Sequence, residues 1–133
     1  MLRRTWRLLA RSMSTARPLR VLAIESSCDE TGVAVVDSDR NVLANVLASQ
    51  ESIHHATGGI VPVNAAREHE ARMPHLLKLA EEKLARHGMK FADLDAIAVT
   101  AGPGLAPCLD VGLSTAKQLA RELGKPLIAV NHV

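Results

Sequence analysis

Aromatic residues are nearly missing from this chain, with one Trp, one Phe and no Tyr in 133 residues, against a hydrophobic content of 47%. Whatever core it builds must be aliphatic, filled by Val, Ile, Leu and Ala. Cysteine is as scarce: Cys28 and Cys108 are too few for a disulfide framework, and no secretory signal or membrane-spanning run accompanies them. A reducing compartment is the simplest reading, with no membrane partner. The length suits one domain of about 100–150 residues.

Acidic residues are absent from the first 20 positions, which hold six arginines, so 10 basic side chains face 14 acidic ones from Val21 onward. The net charge of +2 therefore hides a mildly acidic body. Such a body offers no broad phosphate-binding surface, because nonspecific nucleic-acid affinity depends on many Lys and Arg displacing counterions. If it meets RNA, the basic surface lies elsewhere. In the leader, Leu2, Trp6, Leu9 and Met13 follow at helical spacing between Arg3, Arg4, Arg7 and Arg11, with Ser12, Ser14 and Thr15 behind them. Arginine-rich, acid-free, amphipathic sequence of this kind is the composition of a mitochondrial presequence, here residues 1–20, ended by Pro18.

From Val21 the chain reads as a single domain, 21–133. Val21–Glu25, Gly32–Asp37 and Val42–Ser49 are short apolar runs divided by polar turns, and predict three meandering strands. A loop around Thr57, Gly58 and Gly59 follows. Pro62 then opens a helix with apolar positions Ala66, Met73, Leu76, Leu77, Ala80 and Leu84, stopped near Gly88. Pro74 predicts a kink or two consecutive helices. Asp95–Thr100 is a fourth strand, Leu109–Leu123 a helix ended by Gly124, and Pro126–Val130 a fifth strand. The order βββαβαβ is that of the ribonuclease-H-like lobe of actin-like ATPases, an α/β fold whose later strands are parallel and buried on both faces. The lobe's last helix and a second lobe are not in this sequence.

Three groups could carry chemistry. The first is Glu25, Ser26, Ser27, Cys28, Asp29, Glu30, Thr31 and Gly32, at the turn between the first two strands. Hydroxyls and backbone amides there can hold phosphate oxygens, as read for Ser26, and a carboxylate such as Asp29 or Glu30 can orient an attacking group. An ordinary polar hairpin is the bland alternative. The second is Thr100–Leu105, where Gly102 and Gly104 permit close backbone approach to a ligand ahead of a helix starting near Asp110, itself read as a helix cap. The third is His132, at the carboxyl edge of the sheet where open α/β folds bind ligands. His69, His75 and His87 fall on helices and read as solvated, His54 and His55 fall in a loop, and the two cysteines read as small packing residues.

Taken together, VLAIESSCDETGVAVVD (21–37), TGGIVPVNAAREH (57–69), DAIAVTAGPGL (95–105) and GKPLIAVNH (124–132) resemble, in order and spacing, the tRNA threonylcarbamoyl transferase family, formerly called O-sialoglycoprotein endopeptidases. With its leader the chain is similar to the mitochondrial members. The resemblance implies two actin-like lobes enclosing threonylcarbamoyl-AMP, whose threonylcarbamoyl group passes to N6 of the adenosine beside the anticodon in tRNAs reading ANN codons. It implies one divalent metal, iron or zinc, between two histidines and an aspartate, of which His132 matches the first histidine. It also makes Asp29 and Glu30 the catalytic acidic pair, and implies tRNA and an upstream threonylcarbamoyl-AMP synthase as partners, with a homodimer at full length. The second histidine and the aspartate lie beyond Val133, so the resemblance implies an N-terminal portion inactive by itself. The competing readings are an actin-like ATPase or sugar kinase, whose phosphate hairpin is richer in Gly, Thr and Lys than SSCDETG, and a noncatalytic module pairing with a full-length partner.

Overall fold

The computed structural model describes residues 17–133. Most of the presequence reading, residues 1–16, lies outside the described residues. Strands β1 (Arg20–Glu25), β2 (Glu30–Asp37) and β3 (Val42–Ser49) are followed by helices α1 (Glu51–Ala56) and α2 (Pro62–Ala85). A short 3-10 turn (Phe91–Asp93), β4 (Ala96–Gly102), α3 (Ala106–Leu123) and β5 (Leu127–Asn131) complete the order. The strands form one sheet ordered β3-β2-β1-β4-β5, with β1, β2 and β3 antiparallel and both β1–β4 and β4–β5 parallel.

Alternation decides which face is covered. Leu22 and Ile24 of β1, Val33 and Val35 of β2, and Ile97 and Val99 of β4 point to one side. There they pack under Met73, Leu76, Ala80 and Leu84 of α2 and Ala116 and Ala120 of α3. The opposite face leaves Val42, Leu47 and Val130 exposed. Among the described residues no helix is long and apolar enough to cross a membrane.

Several expectations change in detail. β1 opens at Arg20, and Arg17 and Arg20 both belong to the folded part. The Arg17 guanidinium grips Asp95 with both terminal nitrogens at 2.8 and 2.9 Å, and the Arg20 amide donates to the same carboxylate at 2.8 Å. The stretch read as a loop before Thr57 contains α1, six residues long and without a side-chain N-cap bond, which is why pattern reading passes over it. α2 is one unbroken element of 24 residues with Pro74 inside it. Both Pro74 and Glu70, whose carbonyl loses its helical donor, are exposed, so water can take that donor's place without a break. α3 starts at Ala106 with Pro107 in its first turn, so Asp110 is an exposed residue of the helix body and not its cap. β4 is buried on both faces as expected, whereas β5 is the sheet edge and is exposed from Ala129 to Asn131.

Candidate functional site

Parallel pairing of β1, β4 and β5 brings their carboxyl ends to one edge, so the loops that leave them converge. The result is a cavity of about 400 Å³ lined by Glu25, Cys28, Asp29, Glu30, Thr100 and His132, with Ser27, Val130 and Asn131 between them. Asp29 and Glu30 are thereby brought together with His132, far from them in sequence. The lining carries three carboxylates and a histidine but no Lys or Arg, so it favours an amine or a cation over an unaccompanied phosphate.

Glu25, the last residue of β1, organises this edge. Its Oε1 accepts the Ser27 backbone N–H at 2.5 Å, and its Oε2 accepts the Thr100 hydroxyl in a short bond across to β4. Partial burial works against its ionisation. The bonds from Ser27 and Thr100, with the charge of nearby His132, outweigh that and hold the carboxyl below the usual carboxylate range. The Cys28 thiol is pushed up, first by burial and then by Asp29, which makes it a poor nucleophile. Cys108 is also raised, chiefly by burial; its Sγ lies 3.7 Å from the Pro62 carbonyl, in keeping with a packing role.

The remaining sequence candidates do not line the cavity. Ser26 is 2% exposed and does not line the cavity; its hydroxyl donates to the Cys108 carbonyl at 2.8 Å and accepts from the Gly112 amide at 3.1 Å. Gly104 lets the β4–α3 turn lie against the hairpin, because a Cβ there would stand 2.8 Å from both Ser27 Cβ and the Ser27 carbonyl oxygen. The Leu105 amide donates to that same carbonyl at 2.8 Å. Gly102, at φ 144°, accepts the His132 amide at 2.9 Å and so fixes the start of the C-terminal turn. Both glycines thus join parts of the chain to each other.

Two buried histidines correct the sequence reading. His69 is fully buried, not solvated, with its ring between Thr31 Oγ1 at 2.6 Å and the Cys28 carbonyl at 2.9 Å. The missed signal lay in the register of α2: Ala65, His69, Met73, Leu76, Ala80 and Leu84 form the buried stripe, which places a histidine where hydrophobic counting expects a core residue. His54 lies on α1 and not in a loop; it is 7% exposed, its Nε2 is 2.9 Å from Gln50 Oε1, and its Nδ1 has no hydrogen-bond partner among the described residues.

Among the described residues no group of three or more His, Cys, Asp or Glu is placed to hold an ion, so His132 alone does not make a metal centre.

A mixed five-stranded sheet, helices on one face and a cavity at the carboxyl edge define a lobe of the actin-like ATPase fold. Two solved structures share that fold: YeaZ from Pseudomonas aeruginosa, TM-score 0.56 at 21% identity, and a Pseudomonas aeruginosa protein described as similar to the peptidase YeaZ, TM-score 0.62 at 22% identity. Each match covers 85% of this chain and 43% of the other.

The sequence profile of the tRNA N6-adenosine threonylcarbamoyltransferases matches residues 41–133, and the chain belongs to that family. It is 49% identical over 118 residues to the Moorella thermoacetica enzyme of that name, covering 89% of this chain and 34% of the relative. It is 53% identical over 113 residues to the Clostridium perfringens enzyme, covering 85% of this chain and 32% of the relative. The chain therefore spans about a third of the length of the curated relatives it matches.

Proposed function

We propose that this chain contributes one lobe to an enzyme that moves a threonylcarbamoyl group from threonylcarbamoyl-AMP to N6 of the adenosine beside the anticodon in ANN-decoding tRNAs. The single observation that supports this most is the convergence of Asp29, Glu30 and His132 on one acidic cavity. In the reaction the N6–carbon bond forms, the carbon–oxygen bond to the adenylate phosphate breaks, and AMP leaves. The N6 proton needs an acceptor, and Asp29 or Glu30 is the group offered for it. Glu25 keeps the hairpin in place by its bonds to Ser27 and Thr100. The cavity's negative lining suits the amine side of the transfer, while the adenylate phosphate calls for cationic or amide donors outside it.

The family resemblance pairs the enzyme with a threonylcarbamoyl-AMP synthase, a divalent metal and a second copy of itself. We propose these for a protein of the relatives' length, with His132 as a metal ligand and the 133 residues inactive by themselves. Residues 1–20 support a mitochondrial location, and fusion of that leader to a fluorescent reporter tests it: cytosolic fluorescence counts against it.

The function is tested by mixing the chain, or a version extended to the relatives' length, with tRNA, ATP, threonine, bicarbonate and the adenylate-forming synthase, then measuring threonylcarbamoyladenosine by mass spectrometry. Product is expected from the extended version and its loss on Asp29→Ala or Glu30→Ala. Unchanged product in both variants would remove the acidic pair from the mechanism.

A further inference from the structure

His69 stands where an aliphatic side chain would satisfy the core. It lies on the buried stripe of α2 between Ala65 and Met73, and burying an imidazole there is costly unless both ring nitrogens are matched. They are. The Cys28 carbonyl can only accept, so Nε2 carries the proton; with no carboxylate bonded to this fully buried ring, the arrangement that needs no buried charge has Nδ1 accepting the Thr31 hydroxyl. Cys28 and Thr31 are the residues on either side of Asp29 and Glu30. One rigid ring therefore clips both ends of the acidic pair to a helix of the core.

A second buried side chain reinforces the clip. The Gln50 backbone N–H donates to the Asp29 carbonyl at 3.1 Å, and its side-chain Nε2 donates to the Ala65 carbonyl at 3.1 Å, one turn before His69 on α2. Backbone carbonyls 28 and 29 and the hydroxyl of residue 31 are thus all tied inward, which leaves the Asp29 and Glu30 side chains directed by the backbone between them.

We propose that His69 is a positioning residue: with Nε2 donating, it acts through the Cys28 carbonyl and the Thr31 hydroxyl to set how Asp29 and Glu30 face the cavity. Its bearing on catalysis rests on the transferase reading above; its bearing on the geometry of the loop does not.

The test uses the full chain, isotopically labelled, with His69→Leu, His69→Gln and Thr31→Val. Long-range nitrogen–proton spectra of the wild-type ring should show the Nε2–H tautomer; an Nδ1–H tautomer overturns the proposal. His69→Leu, which keeps the apolar packing and removes both bonds, should speed exchange of the Gln50 amide, which is bonded to the Asp29 carbonyl, about tenfold, the equivalent of about 1.4 kcal/mol of lost hydrogen bonding. The backbone amide shifts of Asp29 and Glu30 should move too, while Ala98 and Val99 of β4 keep their exchange rates. His69→Gln, which can still reach the Cys28 carbonyl, should recover part of the effect. If His69→Leu does not fold, Thr31→Val removes one of the two bonds and is read the same way. Uniform acceleration across the sheet, or unmoved Asp29 and Glu30 amide shifts in folded variants, would mean that His69 only fills the core. In the extended version His69→Leu should lower kcat more than it raises KM for tRNA, and an unchanged kcat overturns the catalytic part. Absence of transfer by the extended wild type, with the local changes present, would count against the function and leave the positioning intact.

Discussion

Gly112 lies in the body of α3, where replacing glycine by alanine ordinarily stabilises a helix by about 0.5–1 kcal/mol. Here the opposite sign is expected. A Cβ on Gly112 would stand 2.4 Å from Ser26 Oγ, closer than real atoms approach. The hydroxyl cannot simply swing away, because it donates to the Cys108 carbonyl and accepts the Gly112 amide, bridging one turn of the helix. Displacing it forfeits two buried hydrogen bonds at about 0.5–1.5 kcal/mol each; keeping it leaves an overpacked contact that costs about 1–3 kcal/mol. Set against the propensity gain, Gly112→Ala should destabilise the chain by about 1–2 kcal/mol, lowering the urea midpoint by about 0.5–1 M for a small protein. The decisive assay is a double-mutant cycle with Ser26→Ala, read by urea unfolding. With the hydroxyl gone the new methyl meets Ile24 Cγ2 and residue 26 Cβ at an ordinary 3.5 Å, so the double variant should be more stable than the two single losses added together. A stabilised Gly112→Ala, or strict additivity, would refute the claim that Ser26 is a structural bridge to α3.

Gly104→Ala meets backbone, namely the Ser27 carbonyl at 2.8 Å, and should displace the hairpin as well as destabilise the chain; chemical-shift changes confined to α3 would contradict this. Glu25 has its carboxyl pKa lowered in the folded state, so its ionised form contributes stability that is complete above the ordinary glutamate range and lost as pH falls through the lowered value. Wild type should therefore exceed Glu25→Gln in stability at neutral pH and converge with it on acidification, and a gap that widens toward low pH would reverse the assignment. Asp95→Ala removes the acceptor of both Arg17 and the Arg20 amide, whereas Arg17→Ala removes an ion pair whose cation is 44% exposed. The first should cost more than the second, which is expected to stay within about 1 kcal/mol and to shrink with added salt. Cys108 is buried and its thiol is raised, so alkylation at neutral pH should await unfolding, and rapid labelling of the native chain would contradict its placement.

Strand periodicity, glycine stops and the order of elements were legible because each is a local signal. β1, β2 and β3 alternate, and Gly124 ends α3 in the left-handed conformation expected of a helix stop. His132 was placed at the carboxyl edge of the sheet by the same reasoning, whereas its meeting with Asp29 and Glu30 depends on the sheet order, which sets β1 beside β4. What local signals do not carry is the direction of a side chain within a loop. Ser26 and Asp29 are both small polar residues of one turn, and nothing in their neighbours says that one points into α3 and the other toward the cavity. His69 was hidden for a related reason: pattern counting treats histidine as polar, although its place on the stripe from Ala65 to Leu84 is a core place.

These concealed residues share a physical logic. A hairpin with two adjacent carboxylates has no intrinsic reason to hold a single shape, since ordering each residue's backbone costs about 1–2 kcal/mol and like charges repel. In this lobe Ser26 ties its start to α3, Gly104 lets the β4–α3 turn close on Ser27, His69 clips Cys28 to Thr31, and Gln50 holds Asp29. The polar groups that read as ligand-binding in sequence are partly spent on this scaffold, and the ones left over, Asp29, Glu30 and His132, are those that line the cavity. A buried polar side chain satisfied by the backbone of a loop is thus a pointer to the next residue along, whose side chain is the one being aimed.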